Sequence, residues 1–320
     1  MKNKIINKNI LITGGTGFIG QNLLPRLIKE GYKVILLVKP GGTPKGCSRE
    51  IKIIRDDLTK NASSIRKINK IDVIIHLAGL VDIDESLKEP EKHIELNLLM
   101  LLNVLGVARA MKKAPLFIFS STDRLYGRTG KSAVDETEPA WPIEPYTASK
   151  ILGEKIVETY HHLYGIPYII LRIDSIYGPH QPSRMFISDV INKMLRGEKI
   201  ITGGLDVRKN FVYAGDLIEA FLATIKSSTR NQNNIYNVGG TQHSLKEALA
   251  IIDKMMEKKT GRKNFLAIKS GPIKRDKKNE VNPFLLSRKK ILKKLHWEPR
   301  VALAEGINNT INYFMAQYEK

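Results

Sequence analysis

Cysteine, tryptophan and long apolar runs are all scarce in this 320-residue chain. Cys47 is the single cysteine, which excludes an internal disulfide and a cysteine-based metal site and fits a reducing compartment. Only Ile10, Leu11 and Ile12 separate the basic N-terminal stretch from a run of glycines, too few for a signal-peptide core or a membrane span. A cytoplasmic protein with no membrane attachment is therefore expected. No group of His, Asp and Glu has metal-ligand spacing, so no metal is expected. Acidic residues are outnumbered, 32 against 52 Lys and Arg, which leaves a net charge of +20. Such an excess suits an anionic partner such as a nucleotide, a nucleic acid or a membrane surface. The lysines are spread along the chain, however, with mild concentrations at 274–278 and 288–294. No cluster interleaves with aromatics as a nucleic-acid stacking platform does, so general lysine-richness is the simpler reading and no nucleic-acid partner is expected.

What the chain does have is a glycine pattern in a telling place. Residues 10–20 read Ile-Leu-Ile-Thr-Gly-Gly-Thr-Gly-Phe-Ile-Gly, a short apolar strand followed by Gly14, Gly17 and Gly20. The apolar positions after them, Phe18, Ile19, Leu23, Leu24, Leu27 and Ile28, recur with helical spacing. Strand, tight turn and helix in this order place free amides and the positive end of a helix dipole where a pyrophosphate can bind. Gly14, Thr16, Gly17, Phe18, Ile19 and Gly20 are thus candidate contacts of a dinucleotide.

Further strands are expected at Lys33 to Val38, Ile51 to Ile54 and Val73 to Leu77, with a polar, helix-like connection between the last two. This alternation specifies an α/β fold, a Rossmann doubly wound parallel sheet. The end of the second strand in such a sheet faces the adenosine ribose. It carries Val38 and Lys39 rather than a carboxylate, which leans toward NADP over NAD. Asp57 and Leu58 would lie near the adenine, and Leu77, Ala78 and Gly79 would let the cofactor pass close to the backbone. His76 reads as a satisfied core-edge histidine. A long helix is expected over Glu91 to Lys112 with Asn97 inside it, and a fifth strand over Leu116 to Phe119 leads into Ser120-Ser121-Thr122-Asp123-Arg124. Later, Ser244 and Glu247 have capping-box spacing ahead of a core-facing helix.

Tyr146-Thr147-Ala148-Ser149-Lys150 opens another helix that runs to Tyr164. The four-residue spacing puts Tyr146 and Lys150 on one helix face, one turn apart. A free tyrosine, with a pKa of ~10, is a poor base at neutral pH. An ammonium and a positively charged nicotinamide beside it favour the phenolate. Tyr146 would then abstract a hydroxyl proton as a hydride leaves the same carbon, Lys150 would hold the phenolate and the nicotinamide ribose, and Thr122 would hydrogen-bond the developing carbonyl.

In these motifs the chain resembles the extended short-chain dehydrogenase/reductase family, in its sugar-nucleotide epimerase/dehydratase branch. The resemblance runs on through Leu171-Arg172, Tyr177-Gly178-Pro179, Arg208 to Tyr213, Asp216, Tyr236 to Gly239 and Leu295-His296-Trp297-Glu298-Pro299. The segment from Ala78 to Pro90, with Ser86, is similar to UDP-glucose 4-epimerases. The resemblance implies a dinucleotide-binding domain over 1–175, rejoined by 206–238, and a smaller α/β substrate lobe from 176–205 and 239–320. It also implies a nucleoside-diphosphate sugar as substrate, contacted by Ser86, Thr122, Ser175, Arg208 and a second basic residue, Arg275 or Lys277. A homodimer through the helices at 91–112 and 146–164 is implied in the same way.

Three positions depart from the family pattern. Ser175 stands where an asparagine is usual, and Ser287 where an aspartate is usual. Thr122-Asp123-Arg124 replaces the Thr-Asp-Glu of dTDP-glucose 4,6-dehydratases; Asp123 keeps the acid, but an arginine stays protonated and cannot replace the base. The expectation is therefore an epimerase, with a keto-sugar-nucleotide reductase using NADPH as the alternative and a 4,6-dehydratase third. A scaffold that merely kept the fold is disfavoured by the intact Thr122, Tyr146 and Lys150.

Overall fold

The computed structural model describes residues 8–42, 44, 51–60, 63–198, 200–202, 205–261, 266–268 and 284–318. Cys47, Arg275 and Lys277 lie outside the described residues. The first half contains β1 (Asn9–Thr13), α1 (Phe18–Lys29), β2 (Lys33–Val38), β3 (Ile51–Arg55), β4 (Val73–His76), α2 (Ile83–Lys88), α3 (Pro90–Ala110) and β5 (Leu116–Thr122). Next come β6 (Ala133–Val134), α4 (Pro145–Tyr164), β7 (Tyr168–Ile173), β8 (Ser175–Tyr177), α5 (Phe186–Leu195), β9 (Ile200–Thr202), β10 (Arg208–Tyr213) and α6 (Ala214–Lys226). The chain continues with β11 (Asn234–Val238), β12 (Thr241–Ser244), α7 (Leu245–Thr260), β13 (Leu266–Ile268), β14 (Leu285–Leu286), α8 (Lys289–Leu295) and α9 (Leu303–Tyr318).

Seven strands in the order β11-β7-β5-β4-β1-β2-β3 form one parallel sheet. The apolar strands alternate between two cores. Ile10, Ile12, Val34, Leu36, Val73, Ile75, Ile169 and Leu171 face one, while Leu11, Ile35, Leu37, Ile74, Phe117, Phe119 and Ile170 face the other. Burial on both faces explains why these strands carry almost no polar residues. The second core is covered by α3 and α4, which contribute Leu101, Val104, Leu105 and Val157. By length and composition α3 would also suit a membrane span. Here one side of it, with Val104, Leu105, Val107 and Ala108 fully buried, packs on the sheet and α4.

Two expectations shift in detail. Among the described residues, the connection between β3 and β4 holds a single 3-10 turn, Ile65–Lys67, and no α-helix. It is pinned by side chains instead: Asp56 accepts the Ser64 amide at 2.7 Å, and Asn103 of α3 donates to Leu58 O at 2.9 Å and Lys60 O at 3.0 Å. Strand β5 runs three residues past Phe119 because Ser120, Ser121 and Thr122 pair with Leu171, Arg172 and Ile173 of β7.

A three-stranded sheet, β12-β10-β8, lies beside the large one. Of the stretch 206–238, β11 joins the large sheet and α6 packs on α1, whereas β10 belongs to the small sheet. Helices α5, α7 and α9 enclose a third core around Tyr177, Ile191, Met194, Leu249, Ile252 and Ile307. The capping box before α7 is formed, with Ser244 Oγ accepting the Glu247 amide at 3.1 Å and Glu247 accepting the Ser244 amide at 2.8 Å. Asp216 ties the segment after α8 to α6. It accepts the Arg300 and Val301 amides at 3.1 and 3.0 Å, and its carbonyl takes the Trp297 indole N–H at 2.9 Å.

Candidate active site

The chain leaves β1, builds β2 and β3 on one side, then returns to place β4 on the other side of β1. The crevice at the carboxyl ends of β1 and β4 is therefore the switch point at which an open α/β sheet binds ligands. Gly14 makes the turn there with φ of +69°, and a Cβ on it would lie 2.5 Å from the Ala78 amide nitrogen. Two strand ends can approach this closely only with glycine. Gly20 serves the packing behind the turn, since a Cβ on it would meet Gly15 backbone at 2.3 Å. The first backbone bond of α1 runs from Gln21 N–H to Gly17 O at 2.9 Å. The amides of Phe18, Ile19 and Gly20 therefore precede the first helical bond, and the first turn of α1 holds no acidic residue to compete for them. This cradle of glycine and amides fits a dinucleotide pyrophosphate.

A cavity of about 880 Å³ is lined by this turn and, at its other end, by residues of β8 and β10. Gly14, Thr16, Gly17, Phe18, Ile19, Leu77, Ala78 and Gly79 line one wall, and Thr122, Asp123, Tyr146, Lys150, Ser175 and Arg208 line it further along. Other expected contacts stand back from it. Gly20, Leu58 and Asn97 are support: Leu58 is in the second core, and Asn97 holds the loop after β4 in place. Its Oδ1 accepts the Leu80 amide at 2.7 Å, and its Nδ2 donates to Leu80 O and Ser149 Oγ, each at 3.0 Å. Asparagine inside α3 thus ties α3, the loop and α4 together. Lys39 is exposed, and its charge, with that of Lys60, helps hold the Asp57 carboxyl low after the Thr59 hydroxyl and amide bonds. Ser86 does not reach the cavity; it is fully buried in α2 and donates to Ile83 O at 2.7 Å. In that stretch the lining comes from Val81, Asp82, Ile83 and Asp84.

The helix that carries Tyr146 and Lys150 starts from Glu144, whose buried carboxylate is gripped by Arg124 at 3.1 and 3.3 Å. Lys150 is buried, donates from Nζ to Ser120 O at 2.8 Å, and sits 5.9 Å from the Tyr146 ring centroid. Burial lowers its pKa to about 8, with Glu154 opposing. Thr122 hydrogen-bonds the Tyr146 phenol. Dense packing pushes that phenol up to about 12, and the Asp123 carboxyl adds to the rise against Thr122 and Arg124. The side chains alone therefore keep Tyr146 protonated. His76 is the core-edge histidine expected: it shares a 2.8 Å hydrogen bond with Thr13, and burial lowers its pKa to about 3.

Three residues at the far wall were not among the expected site residues, although two of them, Lys209 and Asn210, lie in the Arg208 to Tyr213 stretch. Asp174, directly after β7, is 5% exposed and lies against Asp123; burial pushes both carboxyls upward. Asn210 is likewise 5% exposed and lines the cavity. Strand alternation on β10 also separates Arg208 from Lys209. Arg208 binds Gln242 of β12 at 3.2 Å, while the Lys209 charge acts on the Asp123 carboxyl. The one available signal was position, since Asp174 follows an apolar strand at its carboxyl end.

A glycine turn at the switch point, with a tyrosine and a lysine one helical turn apart over the same cavity, defines an enzyme of the extended short-chain dehydrogenase/reductase type. The model of the NAD dependent epimerase/dehydratase family matches residues 10–239, and the chain belongs to that family. Among curated relatives, a protein of Methanocaldococcus jannaschii named "Putative UDP-glucose 4-epimerase" is 31% identical over 95% of this chain and 97% of its own. The human dTDP-D-glucose 4,6-dehydratase is 27% identical over 97% and 91%. Among solved structures, a UDP-glucose 4-epimerase from Thermotoga maritima with UDP-glucose has a TM-score of 0.83 and 29% identity, covering 97% of this chain and 99% of that one. A UDP-glucuronic acid 4-epimerase variant from Bacillus cereus, in complex with a fluorinated UDP-glucuronic acid and NAD, also has a TM-score of 0.83, with 27% identity and coverage of 97% and 100%.

Proposed function

We propose that this enzyme is a nucleotide-sugar epimerase that transiently oxidises one sugar hydroxyl, at C4, and restores it in the opposite configuration. The observation that carries the reading is the shared wall of Thr122, Tyr146 and Lys150, facing the glycine turn across one cavity. When bound there, a nicotinamide dinucleotide supplies the group that accepts and returns a hydride. Tyr146 takes the hydroxyl proton as the C–O bond becomes a carbonyl and gives it back when the hydroxyl re-forms, so no proton is consumed over the cycle. Lys150 offsets the charge left on the phenolate, and Thr122 positions the sugar oxygen through the hydrogen bond it makes to the phenol. Gly14 to Gly20 hold the dinucleotide pyrophosphate, while Arg208 meets the diphosphate of the substrate.

The bidentate pairing of Arg124 with buried Glu144 disfavours dehydration, because neither group can act as the base that removing water needs. Lys39 already shares its charge with Asp57, which weakens its claim to a 2′-phosphate and favours NAD over NADP. The segments 176–205 and 239–320 are taken as the lobe that closes on the substrate. A homodimer through α3 and α4 would cover the exposed Leu102, Leu152 and Leu163. To test the function, the protein is incubated separately with UDP-glucose and UDP-galactose without added reductant and followed by proton NMR. The same equilibrium mixture from both sides is expected. Conversion only with NADPH consumed, or appearance of a 4-keto-6-deoxy sugar, would replace the epimerase with a reductase or a dehydratase.

A further inference from the structure

The far wall of the cavity carries a buried carboxyl pair, Asp123 and Asp174, beside a buried Asn210 oxygen that has nothing to accept. Asp174 Oδ1 takes the Ser175 amide at 2.7 Å, and the side chains beside its carboxyl are Asp123 and Asn210. The Asn210 amide nitrogen donates to Phe284 O at 2.9 Å, and its buried Oδ1 has no donor. Both residues line the cavity that holds Thr122 and Tyr146. The group beside Asp174 is another carboxyl, Asp123, close enough for a hydrogen bond when one of the two carries a proton. Oxygens left this way inside a protein are costly, and native structures supply them with partners. Of the cations close by, Lys209 acts on Asp123 and Arg124 is held by Glu144. One proton shared by the two carboxyls still leaves a negative charge on this wall beside the unpartnered Asn210 oxygen, and both suit a ligand that brings donors.

We propose that Asp174 and Asn210 read the sugar ring, accepting hydrogen bonds from its hydroxyl or amino groups and so selecting neutral or amino sugars over sugars that carry a carboxylate. A hydroxyl or an amine brings donors, whereas a carboxylate brings acceptors only and would face the negative charge of the Asp123 and Asp174 pair and the Asn210 oxygen. The fold by itself makes no such choice, since it is shared equally with a UDP-glucose 4-epimerase and a UDP-glucuronic acid 4-epimerase. The inference rests on the nucleotide-sugar reading above and deepens it.

Calorimetric binding of UDP, UDP-glucose and UDP-glucuronate to the NAD-supplemented enzyme tests the wall, with turnover of both sugars measured in parallel. UDP-glucose is expected to bind at least about 30-fold more tightly than UDP-glucuronate. Asp174→Asn, which keeps the shape and supplies donors, should narrow that ratio about tenfold while leaving UDP binding unchanged. Asn210→Asp, which adds a carboxylate, should widen it. Equal wild-type affinity for the two sugars overturns the proposal, as do ratios that stay put in both variants. Discrimination in binding without epimerisation would leave the wall standing and remove the epimerase reading; epimerisation of both sugars alike would do the reverse. No binding of any UDP-sugar would overturn both.

Discussion

The two walls of the cavity are built on opposite principles. The wall at the switch point is mostly backbone: a turn with φ of +69° at Gly14, an amide-rich helix start, and strand ends packed too tightly for any side chain. The facing wall is mostly side chains, among them the buried polar groups of Asp174 and Asn210. A backbone wall suits a ligand common to a whole family, because phosphate and ribose ask only for amides and room. A side-chain wall suits the ligand that varies, because exchanging one residue changes what is recognised without disturbing the sheet.

Substitutions on each wall should separate these roles, and the largest effect is expected at the tyrosine. Tyr146→Phe removes the proton acceptor and should lower turnover about 10²- to 10⁴-fold with dinucleotide affinity nearly unchanged, as steady-state rates and a cofactor titration would show. Loss of both together would mean that Tyr146 only holds the cofactor. Behind the side-chain wall, Arg172 binds Glu154 at 2.8 and 3.1 Å and donates to Tyr126 at 2.9 Å. Glu154→Ala leaves that buried guanidinium uncompensated and should cost about 3–5 kcal/mol in chemical denaturation. On the backbone wall, Gly14→Ala forces a Cβ against Ala78 at positive φ and should cost about 2–3 kcal/mol while weakening dinucleotide binding more than UDP-sugar binding. If the two affinities fall equally, the walls do not divide the ligands as described.

The smallest effect expected is in the pH dependence of stability. Lys150 titrates near 8 when folded, below its ordinary value of about 10.4 in the unfolded chain. Between those values the unfolded chain binds the extra proton, so this residue's contribution to stability rises with pH from about 8 to about 10. Melting curves of the wild type and Lys150→Met, without cofactor, should therefore shift in favour of the wild type over that window. A shift the other way would mean that the ammonium is well solvated.

How much of this was legible in the sequence follows the same division. The apolar strands, the glycine turn and the Tyr146 and Lys150 pair were legible because each is a local pattern with a period or a fixed spacing. That Ser86 is buried in α2 and absent from the cavity lining was not legible, because six residues of helix give no sign of which face is buried. Asp174 and Asn210 had no spacing to betray them. Asp174 and Asp123 are 51 positions apart and meet only because β5 and β7 are neighbours in the sheet. Lys209 and Arg208 are adjacent, and which of them turns toward the cavity carboxyls was decided by the register of β10 on β12.

The most direct test of the central claim, that one hydroxyl-bearing carbon is oxidised and restored within a single turnover, is conversion of UDP-galactose in D2O followed by NMR at C4. The account predicts product that keeps protium at C4, because the hydrogen leaves and returns without meeting solvent. Deuterium on C4 would contradict it and would point instead to removal of that hydrogen as a proton.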